Sequence, residues 1–95
     1  MAQTQQGAGV KMYPNPFTDV INMEFNNASV GNNVSVDIYD MTGSLVYRRD
    51  FGRLGAGYNS LQINTSQSLN TGVYMVTLKV NGRPIQTTNM LRTKQ

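Results

Sequence analysis

Hydrophobic and polar residues alternate with a period of two in several short runs, and each such run predicts a strand with one buried face. The central one runs from Val34 to Phe51. Val34, Val36 and Ile38 alternate with Ser35, Asp37 and Tyr39, the turn Asp40-Met41-Thr42-Gly43 follows, and Leu45, Tyr47, Arg49 and Phe51 return against Val46, Arg48 and Asp50. Asp bonds its own backbone two residues on and Gly takes a positive φ without a Cβ penalty, which suits Asp40 and Gly43 to the turn. With Tyr39 facing Ser44, Ile38 lies opposite Leu45 and Val36 opposite Tyr47, giving a mostly apolar hairpin face. A slip of one residue would set Arg48 against Val36 on the core side.

The remaining runs follow the same logic. Val10 to Tyr13 is a short strand stopped by Pro14-Asn15-Pro16, after which Phe17 packs over the open end of the fold. Val20 to Phe25 places Ile21, Met23 and Phe25 on one side. The turn-rich stretch Asn26 to Asn33 ends it, with Val30 as a loop anchor, and Gly52 to Gly57 reads as a second loop. Tyr58 to Ile63 is a strand, and Asn64 to Gly72 a connection that drops Leu69 into the core. Val73 to Val80 is rich in β-branched and aromatic residues, with Tyr74, Val76, Leu78 and Val80 facing inward. Asn81-Gly82 matches a type I′ hairpin turn, and Arg83 to Leu91 returns as the last strand. Met1 to Gly9 has nothing to bury and reads as a linker ahead of one domain over residues 10–95. About seven short strands with no helical periodicity predict an all-β antiparallel sandwich, whose sheets exchange strands in the loops after Phe25 and Ile63.

Composition narrows the chemistry. The chain of 95 residues is 39% hydrophobic and 14% charged, enough for one core and unlike a disordered tail. Its net charge of +3 is spread over isolated basic residues, so no polyanion site stands out. No Cys and no His are present, which removes disulfides, thiolate metal sites and the commonest general base. The start, MAQTQQGAGV, lacks the pattern of an export signal, and no window approaches the about 18 apolar residues of a membrane span. The chain is therefore read as a piece of a longer protein.

Asp19, Glu24, Asp37, Asp40 and Asp50 are the remaining candidate bases. Asp37 is expected on an outward, solvated face and Asp40 in turn bonding, so neither points to catalysis. Asp19 and Asp40 offer hard oxygen ligands without the dense acidic spacing of a calcium loop, and no metal or cofactor is expected. The glycines of the 52–57 stretch lack the strand, helix and Lys-Ser/Thr context of a phosphate loop. Tyr13, Tyr39 and Tyr58 beside Arg48, Arg49 and Arg53 could stack on nucleic acid, or the tyrosines on sugars, though such residues more often pack with a wet hydroxyl.

The turn motifs as a set carry a resemblance. Met12-Tyr13-Pro14-Asn15-Pro16-Phe17, then Val36-Asp37-Ile38-Tyr39-Asp40 with Gly43, then Asn59 with Leu61 and Ile63, then Leu69 with Gly72-Val73-Tyr74, and a last strand ending in Lys94, resemble the type A C-terminal sorting domain of type IX secretion, also called the Por secretion system domain. That resemblance implies an immunoglobulin-like sandwich at the end of proteins exported by Bacteroidota. It implies a non-catalytic tag, recognised in the periplasm by an outer-membrane translocon, that carries its cargo to the outer membrane, cell surface or medium and is then removed by a sortase-like peptidase. The translocation signal maps to Asn89-Met90-Leu91-Arg92-Thr93-Lys94 and the cleavage neighbourhood to Gly7-Ala8-Gly9-Val10. Pro14, Pro16, Gly43, Gly72 and Gly82 are expected to shape turns, and Phe17, Val36, Ile38, Val73 and Leu78 to hold the sandwich. Deleting Leu91 to Gln95 is expected to stop secretion without unfolding the rest. A carbohydrate-binding module and a plain spacer in an extracellular enzyme are the alternative readings.

Overall fold

Alternation of apolar residues gives β2, Val20–Asn27, and β6, Gly72–Val80, their clean inner faces, and every other strand is paired onto one of these two or onto a neighbour of β6. The computed structural model describes residues 10–27, 32–65 and 69–93. Among them the remaining strands are β1, Lys11–Tyr13; β3, Asn32–Tyr39; β4, Leu45–Leu54; β5, Gly57–Asn64; and β7, Arg83–Arg92. They form a three-stranded sheet ordered β1-β2-β5 and a four-stranded sheet ordered β4-β3-β6-β7, all antiparallel. This is the expected immunoglobulin-like sandwich. The chain changes sheets between β2 and β3 and between β5 and β6, as expected, and also at Gly55-Ala56, where buried Asn27 donates to the carbonyls of Leu54 at 3.2 Å and Gly55 at 2.9 Å.

Ile21, Met23, Phe25 and Ile63 from the small sheet meet Val34, Val36, Ile38, Tyr74, Val76, Leu78 and Met90 from the large one, and Phe17 and Leu69 close the ends. Burial of each of these larger side chains contributes on the order of 1.5–3 kcal/mol. Val73 is not among them. It is 39% exposed, because the strand alternation that turns Tyr74 inward turns its neighbour out. Val30 and the residues Ser66–Ser68 lie outside the described residues.

The central hairpin keeps Val34, Val36 and Ile38 on the inner face but not the expected register, and Leu45, expected on that face, pairs with Tyr39 instead and is 45% exposed. Ile38 pairs with Tyr47 and Val36 with Arg49, two positions along from the alignment drawn from the sequence. Asp40 tightens the turn as foreseen, accepting from the backbone of Thr42 at 2.9 Å and Ser44 at 3.0 Å. The difference comes from two irregularities in β4, where Val46 and Phe51 are the extra residues of bulges. Each is thereby turned toward the core, against which both pack. The second bulge also carries strand structure through Gly52, at φ +73°, to Leu54, where a loop was expected. The Asn81-Gly82 turn has φ of 53° and 81°, both positive as a type I′ turn requires.

Asp37 departs furthest from expectation. It lies on the outer face of the large sheet, yet it is fully buried there. Arg48, its cross-strand partner on β4, donates from Nε and Nη2 at 2.7 and 3.0 Å. Lys79 on β6 brings Nζ to 2.8 Å, and the Tyr39 hydroxyl donates at 3.1 Å. Bonding to Arg48 outweighs the opposing effect of burial, and with Lys79 and Tyr39 it holds the carboxyl well below the usual carboxylate range. One acidic side chain therefore cross-links β4, β3 and β6 on the face opposite the core. Because its folded pKa lies below the unfolded value of about 3.9, its stabilisation is complete above about pH 4 and is lost as the pH falls below that. Asp37→Asn is expected to cost about 2–3 kcal/mol at neutral pH and to flatten the acid limb of stability, as read from urea melts at neutral pH and below about pH 4.

Candidate recognition site at the end of the last strand

Two prolines flanking one Asn leave that residue with a polar side chain beside two positions that have no N–H to donate. The peptides Tyr13-Pro14 and Asn15-Pro16 are both cis, and the turn they form brings Asn15 and Phe17 against the outer edge of β7. There the Asn15 carboxamide does what a strand's backbone would do. Its Nδ2 donates to the Asn89 carbonyl at 3.2 Å, and its Oδ1 accepts from the Leu91 N–H at 3.0 Å. Phe17 continues the pairing with its own backbone: its N–H donates to the Leu91 carbonyl and its carbonyl accepts from the Thr93 N–H, both at 2.9 Å, in a parallel bridge to Arg92. The aromatic ring of Phe17 is buried in the core, so the clamp is anchored from below.

Arg92 adds a charged link. Its side chain is buried and places Nη2 3.1 Å from Asp19 Oδ1, at the far end of the same turn. Asp19 in turn gives its backbone carbonyl to the N–H and hydroxyl of buried Thr65, at 2.7 and 2.9 Å. The turn after β1, the end of β7 and the end of β5 thus meet at one corner.

The six positions assigned to the signal divide by this geometry. Met90 and Arg92 are buried and Thr93 is half-buried, whereas Asn89 and Leu91 are exposed; Lys94 lies outside the described residues. Asn89 to Thr93 therefore form a clamped strand end rather than a loose tail. Removing Leu91 onward would strip the partners of Asn15, Phe17 and Asp19 and of Gly72 and Val73 on β6, so the deletion expected from sequence to leave the fold intact would instead destabilise it. On the outer face Leu91 pairs directly with Val73, and the two are 40% and 39% exposed. They make a small apolar patch beside Asn89.

The other motif residues have structural duties. Gly72 at φ +149° starts β6 opposite Arg92, Tyr74 is buried and donates its hydroxyl to the Asn70 carbonyl at 2.8 Å, and Gly43 at φ +88° closes the Asp40 turn. Ile38 is core, Tyr39 serves Asp37, and Pro14 and Pro16 are exposed on the clamp turn. Of the cleavage neighbourhood, Gly7, Ala8 and Gly9 lie outside the described residues; Val10 is half-buried and its carbonyl accepts from Gln86 Nε2 at 3.3 Å. Of the tyrosines considered for stacking, Tyr13 and Tyr58 meet on the outer face of the small sheet, where both bond Glu24, which pushes the Tyr58 hydroxyl up to about 12 and holds Glu24 low. Tyr39 and the arginines considered with them lie on the large sheet. Arg48 belongs to Asp37, and Arg49 lies 4.9 Å over the Phe51 ring. Among the described residues no group of three or more His, Cys, Asp or Glu could hold a metal ion.

The family described as "Secretion system C-terminal sorting domain" matches residues 11–91. A curated ulvan lyase, NLR42, of Nonlabens ulvanivorans is 26% identical over 88 residues, which are 93% of this chain but only 15% of the lyase. The crystal structure of dimeric latent PorU from Porphyromonas gingivalis superposes over 90% of this chain and 9% of that one, with a TM-score of 0.73 at 21% identity, a likeness of fold.

Asn15→Ala removes both side-chain bonds to β7 and is expected to lower stability by about 1–3 kcal/mol. Asn15→Asp keeps the acceptor for Leu91 but faces the Asn89 carbonyl with an oxygen, so it is expected to be no milder; thermal melts of the two variants against the parent chain check the order.

Proposed function

This chain belongs to the family of secretion system C-terminal sorting domains, and from that membership we propose that it is read by the type IX outer-membrane translocon at the clamped end of β7. A secretion-signal role without catalysis and an extracytoplasmic destination come with the family. The finer reading concerns what the partner touches. Recognition takes place on the folded domain, through the exposed pair Val73 and Leu91 with Asn89 beside it and the basic end at Lys94 following. Met90, Arg92 and Thr93 hold that surface in place.

The observation that carries this reading is the Val73–Leu91 pair. Apolar side chains this exposed on the outer face of a sheet gain little for the fold beyond their cross-strand contact, and the buried Met90 and Arg92 on either side of Leu91 fix it in orientation. Further along that face come half-buried Met75, opposite Asn89, then Thr77, hydrogen-bonded to Thr87 at 2.8 Å, and Asp37, tied to Arg48 and Lys79. A partner that reads the strand end therefore meets a defined apolar contact, continued by Met75 and bordered by Asn89 and the bonded polar groups.

The ulvan lyase that resembles this chain over a small share of its own length supports a tag joined to a larger cargo. In the proposed sequence of events the domain accompanies such a cargo across the outer membrane, and a sortase-like peptidase then cuts in the neighbourhood of Gly7 to Val10, leaving the cargo at the surface or in the medium.

Leu91→Asp and Val73→Asp change only outward side chains, so each is expected to leave stability within about 1 kcal/mol while export of a fused reporter falls roughly tenfold. Reporter outside the cell, measured in hosts with and without the translocon, checks this. Undiminished export by both variants would overturn the assignment of recognition to this pair.

A further inference from the structure

The outer face of the small sheet carries a group of side chains that neither the core nor the clamped end of β7 uses. Antiparallel pairing sets them in rows across the three strands: Tyr13, Asn22 and Gln62 in one, Lys11, Glu24 and Ser60 in the next, and Tyr58 opposite Asn26 in the third. Glu24 thus stands at the centre of the face, with a tyrosine at each of two opposite corners. By strand geometry those corners are about 10 Å apart across the strands and about 13 Å apart along them. Both phenols lean inward far enough for their hydroxyls to bond the Glu24 carboxylate. Even so, Tyr13 and Tyr58 stay 39% and 64% exposed.

These rows suit one kind of ligand. They contain no aliphatic side chain, so a protein partner would find no apolar anchor beyond the two rings. A polyanion is disfavoured as well: a carboxylate holds the centre, Lys11 beside it is the single cation of the three rows, and Arg48, Arg49 and Arg53 are on the large sheet. What fits is a neutral molecule that has apolar C–H faces for the rings and hydroxyls for the polar groups between them. A carboxylate offers about four acceptor positions and the phenols take two of them, which leaves room for two ligand hydroxyls. Bonds of that O–H···O⁻ type are among the strong ones, and the Tyr13 and Tyr58 hydroxyls keep Glu24 ionised by holding its carboxyl below the usual range. The amides are already oriented. Gln62 donates from Nε2 to Asn22 Oδ1 at 3.2 Å, and Asn22 donates from Nδ2 to the Tyr13 carbonyl at 3.4 Å, so little side-chain freedom is left to lose on binding.

We propose that the outer face of the small sheet is a binding site for a neutral glycan chain, which lays sugar faces on Tyr13 and Tyr58 and gives hydroxyls of the stretch between them to Glu24. The separation of the two rings makes it a site for a chain rather than for a single sugar. Further hydroxyls bond the Asn22 and Gln62 amides and Ser60. Val73 and Leu91 lie on the other sheet, so the domain can hold a glycan and a partner at the end of β7 at the same time. Glycan binding here is independent of the sorting reading.

The test titrates the full, isotope-labelled chain with cellohexaose, xylohexaose, mannohexaose and laminarihexaose, read by amide shifts. At least one of the four is expected to move the amides of residues 11–13, 22–26 and 58–62 and to leave those of residues 89–92 in place. Tyr58→Ala is expected to weaken that binding roughly tenfold, and Glu24→Gln by a similar factor. Tyr58→Phe loses the same bond to Glu24 but keeps the ring, and is expected to bind within about threefold of the parent chain. Thermal melts confirm that each variant is folded. No shift with any of the four sugars, shifts confined to the large sheet, or binding that both Tyr58→Ala and Glu24→Gln leave unchanged would overturn the proposal. Tighter binding of dextran sulfate to the same rows would also overturn it, by making the face a polyanion site.

Discussion

The contact on which the rest of this structure depends joins residues separated by 74 and 76 positions: the Asn15 carboxamide bonded to Asn89 and Leu91 on the outer edge of β7. An exposed strand edge is a row of unpaired donors and acceptors, and proteins commonly blunt it. Here the blunting is done by a side chain, because the prolines on either side have no N–H to offer. Phe17 then completes the pairing with its backbone while its ring sits in the core. The turn after β1 thereby fixes the shape of the end of β7.

Under the proposed reading, that arrangement lets a sorting domain carry its information in a folded strand end. A peptide tail would present its residues in many conformations, and a partner would have to order them at an entropic cost. A clamped strand end presents Asn89 and Leu91 in one geometry with Val73 across from them. The cluster around Asp37 stiffens the same sheet from its outer face, linking β4 and β6 through β3. The two features are complementary: one fixes the sheet's middle and the other its corner.

Much of this was legible in the residue pattern, and the failures have specific causes. Ile21, Met23 and Phe25, and Tyr74, Val76 and Leu78, announced their strands because alternation is a local property. The register of the β3–β4 hairpin was not legible, since the bulges at Val46 and Phe51 arise from how apolar side chains reach a core that local sequence does not describe. Asp37 was misread as solvated because its partners lie on two other strands; an acid between Val36 and Ile38 was the available hint. Val73 was grouped with the core although the period that buries Tyr74 excludes it. Asn15 stood in the motif as a turn residue, and its carboxamide became a strand mimic only once β7 was beside it.

The central claim is that the end of β7 belongs to the cooperative fold. Native-state amide exchange across low urea concentrations tests it most directly, read at the Leu91 and Thr93 N–H groups that Asn15 and Phe17 hold. If the clamp is part of the fold, both amides exchange only through global unfolding, with the same free energy and urea dependence as Val36 and Leu78 in the core. Exchange of Leu91 and Thr93 through a low-energy opening that urea does not affect would show a frayed tail and contradict the account.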